Sequence, residues 1–140
     1  MWRPHNETPQ DLQNEANAAD ILREKWEIDI HKLSPTLYGV DWVFSRDGEV
    51  VAFAEFKKRS KSYPNYILSA AKFTRMLRMA DDFAVPVLLI LELPDGIWYW
   101  VTDRTPMQEK FKIGGNSRGQ NGDTEPVVYI DANLFKKIND

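Results

Sequence analysis

The sequence predicts an α/β protein, a mixed β-sheet with helices packed on it. Three observations carry that expectation. Residues 8–26 repeat apolar side chains at a helical period, two pairs of Val-, Phe-, Tyr- and Trp-rich segments meet at short glycine turns as hairpins do, and Val85-Pro86-Val87-Leu88-Leu89-Ile90-Leu91-Glu92-Leu93 is an apolar run of strand length. A strand apolar on both faces belongs inside a sheet covered on both sides, and helices supply the cover.

Thr8-Pro9-Gln10-Asp11 reads as a helix start, with Thr8 as N-cap, Pro9 at the first helical position and Asp11 placed to complete a capping box. The helix is expected to run to about Trp26, with Leu12, Glu15, Ala19, Leu22 and Trp26 on one stripe. Glu15 is the one charge on that stripe. A carboxylate facing a core costs free energy unless a cation or hydrogen-bond donor meets it, so Glu15 either has such a partner or borders a face centred on Ala16 or Ala18.

Tyr38 to Ser45 and Glu49 to Lys57 follow as two strands joined through Arg46-Asp47-Gly48. After a basic loop, Pro64 and Asn65 are expected to open a second helix. Its Tyr66, Ala70, Phe73, Leu77 and Ala80 would face the core, and its other side would carry Ser69, Lys72, Met76 and Met79. The apolar run then gives a central strand, turned by Pro94-Asp95-Gly96 into Ile97 to Val101. Gly114 to Asp123 is polar and glycine-rich, as a mobile loop would be, and lacks the Lys-Ser/Thr ending of a nucleotide-binding P-loop. Val127 to Ile130 reads as a strand and Asp131 as the cap of a terminal helix.

At 140 residues, 43% hydrophobic and 28% charged, the composition suits a single domain, residues 1–140, with a core over about 8–102 and a variable loop, strand and helix over 103–140. The absence of cysteine excludes disulfides, thiol catalysis and zinc-thiolate sites. No run approaches the ~20 apolar residues of a membrane span, and the expected location is the cytoplasm, with no membrane partner. His5 and His31 are isolated, and no Gly-x-Ser-x-Gly elbow occurs. The net charge of −3 hides a local excess: Lys57, Lys58, Arg59, Lys61, Lys72, Arg75 and Arg78 lie between Glu55 and Ala80 against one acid. Such a segment attracts a polyanion, or else is a solvated loop and helix surface.

The sharpest feature is Glu55-Phe56-Lys57. Strand side chains alternate, so Glu55 and Lys57 project from one face. Asp41, on the preceding strand, can meet Glu55 across the ladder, and two carboxylates sharing a site invite a hard divalent cation. Register decides whether they meet. A two-residue Asp47-Gly48 turn continued without interruption would set Asp41 opposite Ala54 and send the two acids to opposite faces, so the expectation is an odd loop or a bulge.

These residues resemble the PD-(D/E)xK nuclease superfamily, which includes restriction endonucleases, phage-type exonucleases and Holliday-junction resolvases. The resemblance covers Thr8 to about Val101: an acidic residue on the first helix, Gly39-Val40-Asp41, Glu55-Phe56-Lys57, a helix carrying Ser69 and Lys72, then an apolar strand. Val40 stands where the family usually has proline, and the literal Pro94-Asp95 is followed by no Glu-x-Lys. The resemblance implies a restriction-endonuclease-like fold, a mixed central β-sheet flanked by helices with an αβββαβ-type core. It also implies Asp41, Glu55 and the Phe56 carbonyl as ligands of Mg2+ or Mn2+, Lys57 as the residue that positions or activates the attacking water, and Glu15 as the first helix's acidic site residue. The implied activity is metal-dependent hydrolysis of DNA phosphodiester bonds in phage or bacterial recombination, repair or processing.

Lys58, Arg59, Lys61, Ser69, Lys72 and Arg75 are then the expected nucleic-acid contacts, and Tyr63 and Tyr66 either stack on bases or pack. DNA is the expected partner, with a second copy of the chain or another protein left open. Two other readings stand beside this one: a nuclease-like fold kept as a non-catalytic nucleic-acid-binding or assembly module, and a structural salt-bridge cluster of Asp41, Glu55 and Lys57 in an unrelated α/β protein.

Overall fold

The computed structural model describes residues 8–33, 39–108, 112–115 and 124–138. Helix α1 spans Pro9–Trp26 and begins with the capping box: the Asp11 amide donates to the Thr8 hydroxyl and the Thr8 amide to the Asp11 carboxylate, each at 3.0 Å. Its buried side holds Glu15, Ala18, Ala19 and Leu22, while Leu12 is exposed, so the face is rotated toward Ala18 from the expected stripe.

A six-stranded sheet forms the centre. Its strands are β1 (Asp29–Lys32), β2 (Trp42–Arg46), β3 (Glu49–Lys58), β5 (Val87–Leu93), β6 (Gly96–Val101) and β9 (Lys136–Lys137), in the order β1-β2-β3-β5-β6-β9. The β3–β5 pair is parallel and the others are antiparallel, so the sheet is mixed. A second sheet, in the order β4-β8-β7, comprises β4 (Asn65–Ser69), β8 (Thr124–Asp131) and β7 (Lys112–Gly115). Helix α2 spans Ala70–Phe83.

The sheet divides the core in two. On one face Ala54, Leu88 and Ile90 pack with Ala18, Ala19 and Leu22 of α1 and with Trp42. On the other, Phe53, Leu89 and Leu91 pack with Phe73 and Met76 of α2 and with Leu68, Val128 and Ile130 of the small sheet. Phe73 stacks on Trp100 with ring centroids 6.4 Å apart.

Three elements differ from expectation. The second helix does not open at Pro64-Asn65, because residues 65–69 are β4, paired in register from Asn65↔Asp131 to Ser69↔Val127. Tyr66 and Leu68 turn inward and Ile67 outward, the alternation of a strand, and the helix behind them buries Phe73, Met76 and Met79 with Leu77 and Ala80 only partly covered. The terminal helix is a single 3₁₀ turn, Ala132–Leu134. Asp131 caps it as expected, but Phe135 enters the core against Tyr66 and Trp100, and the chain continues as β9. Strand β1 was not expected at all, since Asp29-Ile30-His31-Lys32 has one apolar residue. Of the expected loop from Gly114 to Asp123, Gly114 and Gly115 belong to β7 and residues 116–123 lie outside the described residues, as do His5 and Tyr38.

Candidate active site

The β2–β3 hairpin sets the site. Asp47 and Gly48 both take positive φ, 52° and 81°, the two-residue turn whose twist suits a hairpin, and Arg46↔Glu49 and Ser45↔Val50 pair across it. The register then shifts. Phe44 pairs with Ala52, Val43 with Phe53 and Trp42 with Ala54, leaving Val51 as the extra residue of a β-bulge. That single residue brings Asp41 level with Glu55 instead of Ala54.

Asp41 is anchored by backbone on both sides. Its amide donates to the Ala54 carbonyl at 3.1 Å, its carbonyl accepts from the Leu33 amide at 2.8 Å, and its Oδ2 accepts from the Phe56 amide at 2.8 Å. Because the N–H and C=O of one strand residue point to the same edge, the Phe56 carbonyl opens toward the Asp41 side as well. Glu55, beside it, is 8% exposed. Burial foremost, and then the Asp41 charge, push the Glu55 carboxyl up to about 8, against the opposing pull of Lys72 and Lys57. Lys57, half-buried on the same face, is drawn below the ordinary lysine value, first by desolvation, with Glu55 resisting.

Two lysines from other elements reach the carboxylates. Lys72, in the first turn of α2, places Nζ 3.0 Å from Glu55 Oε2 and donates to the Gly39 carbonyl at 2.6 Å. The Glu55 oxygen is fully enclosed, and the Lys72 contact is an ion pair without hydrogen-bond alignment. Gly39 itself has φ of 72°, and a Cβ there would run into the Arg75 side chain, so this position needs glycine for both conformation and space. On the opposite side of the sheet, Lys32 at the end of β1 lies 2.8 Å from Glu15 Oε2 and 3.4 Å from Asp41 Oδ1. Glu15 thus has the cationic partner that its position on α1 demanded.

The donor set suits a hard divalent cation: two adjacent carboxylates, one held protonated to high pH by burial and then by the other's charge, beside a backbone carbonyl. Among the described residues no three His, Cys, Asp or Glu side chains converge on one point, and Glu15 is joined to Asp41 through Lys32.

A family model of phage PDDEXK endonucleases matches residues 1–138. The chain belongs to this family. Its fold is similar to that of Hjc, a Holliday junction resolvase from Archaeoglobus fulgidus, with a TM-score of 0.54 at 18% identity over 85% of this chain and 94% of that one. It is also similar to D212, a nuclease from a fusellovirus, with a TM-score of 0.51 at 13% identity over 96% of this chain and 90% of that one. At these identities the likeness is one of fold, and it makes the architecture restriction-endonuclease-like. No curated protein sequence matches the chain.

In this PDDEXK endonuclease family member, Asp41, Glu55, Phe56 and Lys57 lie together at one end of the β2–β3 hairpin, with Glu15 one lysine away. The expected nucleic-acid contacts are more scattered. Lys58 pairs with Glu92 at 2.9 Å, Arg59 and Lys61 are exposed on the loop beyond, and the Ser69 hydroxyl accepts from the Lys72 amide at 3.0 Å as the N-cap of α2. Lys72 turns inward to Glu55, and Arg75 lies against Gly39. Sequence reasoning missed Lys32, because β1 carries no strand pattern.

Proposed function

We propose that the chain is a Mg2+- or Mn2+-dependent deoxyribonuclease acting in the cytoplasm of a phage-infected cell on DNA undergoing recombination, repair or processing. The observation that carries this reading is the bulged register that sets Asp41 level with Glu55, with Lys57 one pleat further on the same face. Asp41, Glu55 and the Phe56 carbonyl would hold the cation. A bound dication supplies Lewis-acid polarisation of the phosphodiester and a more acidic water.

The chain's own residues do the rest. Glu55 would give up its proton in favour of a bound cation, whose charge offsets both the burial and the Asp41 repulsion that hold the carboxyl neutral. Lys57 orients the attacking water and steadies the developing oxyanion, with desolvation drawing its ammonium below the ordinary lysine value. Water attacks phosphorus, the bond to the leaving sugar oxygen breaks, and that oxygen takes up a proton. Arg59, Lys61 and Arg75 track the phosphate backbone.

The test is cleavage of linear, nicked, four-way-junction and single-stranded DNA with Mg2+, Mn2+ or EDTA. Metal-dependent cleavage that falls by about 100-fold or more in Lys57→Ala is expected. Binding of DNA with no cleavage under any of these conditions would replace this reading with a non-catalytic module. No saturable Mn2+ binding would leave a salt-bridge cluster.

A further inference from the structure

The two lysines at the site do different things. Lys72 meets one carboxylate and one neutral carbonyl, whereas Lys32 spans two carboxylates, Glu15 at 2.8 Å and Asp41 at 3.4 Å. A cation shared between two acidic side chains, one of which also belongs to a neighbouring metal position, is the arrangement by which paired-metal phosphodiesterases hold their second ion about 3.5–4 Å from the first. Here the chain supplies that cation itself.

We propose that Lys32 stands in for a second divalent ion, so that this site takes up one metal. The inference rests on the metal-dependent reading of Asp41 and Glu55. Charge balance supports it. The site sets three acidic side chains, Glu15, Asp41 and Glu55, against three basic ones, Lys32, Lys57 and Lys72, so it has no surplus of acids with which to hold two dications. One dication then matches the two negative charges of a phosphodiester under attack by hydroxide. A second would leave a surplus in a partly buried site, where uncompensated charge is costly.

Geometry supports it too. β1 is held to β2 by the pairs His31↔Val43 and Lys32↔Trp42, and the Leu33 amide just beyond it donates to the Asp41 carbonyl, so the lysine is set in place by backbone on both sides of its own position. Its side chain is 36% exposed while the Glu15 and Asp41 side chains are each 11% exposed, so the ammonium plugs the solvent side of the acid pair. An ammonium there neutralises and orients both acids but cannot exchange ligands, which makes Lys32 a positioning residue for Asp41.

The probe is Mn2+ alone, titrated into the full chain up to millimolar concentration by calorimetry, with electron paramagnetic resonance to detect spin coupling between neighbouring ions. The wild type should bind one equivalent, lost in Asp41→Ala. Lys32→Met should bind two with a coupled spectrum, Lys32→Arg should return to one, and adding Glu15→Gln to Lys32→Met should abolish the second. Circular dichroism confirms that each variant is folded. Two Asp41-dependent equivalents in the wild type, or a single equivalent in folded Lys32→Met, would overturn the inference alone. No Asp41-dependent binding in the wild type would overturn the metal-dependent reading and this inference with it.

Discussion

Glu55 is 8% exposed beside Asp41, so folding the metal-free chain requires either burying two like charges together or keeping one proton. The fold keeps the proton. Below its ordinary value of 4.5 the Glu55 carboxyl is protonated whether folded or unfolded; above that the unfolded chain releases the proton, while the folded one retains it to about 8. Metal-free stability therefore falls as pH rises through this window, on the order of a few kcal/mol in all. Melting temperatures in EDTA between pH 5 and pH 8 should show the decline, and Glu55→Gln, which carries no titrating group, should flatten it. At this scale the sequence was informative about Asp41, Glu55 and Lys57, because strand alternation and one turn constrain them. Lys32 was invisible, because its role depends on an edge strand with one apolar residue and on a helix seventeen positions upstream.

The junction of β4 and α2 couples a strand to a helix through one side chain. Ser69 ends β4 in register with Val127, and its hydroxyl caps α2 by accepting from the Lys72 amide. The cap sets the helix start, and the helix start sets where Lys72 reaches Glu55 and Gly39. Ser69→Ala should lower stability by about 1 kcal/mol, and Ser69→Asp should restore it by offering another cap acceptor, both measured by urea unfolding. The same junction explains why the sequence misled. Tyr66, Ala70, Phe73, Leu77 and Ala80 do recur at helical spacing, but Tyr66 and Leu68 also alternate, and pairing with β8, some sixty residues away, decides between the two periods. The α1 cap box, the turn at Asp47-Gly48 and the apolar β5 were legible, because each is fixed by residues close in sequence.

Over the whole molecule, basic residues are less available to a polyanion than their number suggests. Three lysines are committed to carboxylates at or beside the site, Lys32, Lys58 and Lys72, within a chain of net charge −3. Affinity for DNA should therefore be modest, with a shallow dependence on salt. Glu92→Gln removes the partner of Lys58, and the freed ammonium should strengthen binding at low salt and steepen the slope of log affinity against log salt by about one, read from fluorescence anisotropy at several salt concentrations. With a core packed on each of its faces, the central sheet is the frame on which everything else is hung. Its rims have a further effect. The outermost strands are four and two residues long, β1 ending in Lys32 and β9 consisting of Lys136 and Lys137. Short lysine-bearing rims are poor templates for a neighbouring chain's backbone, so the sheet resists growing into fibrils when the protein is made in quantity.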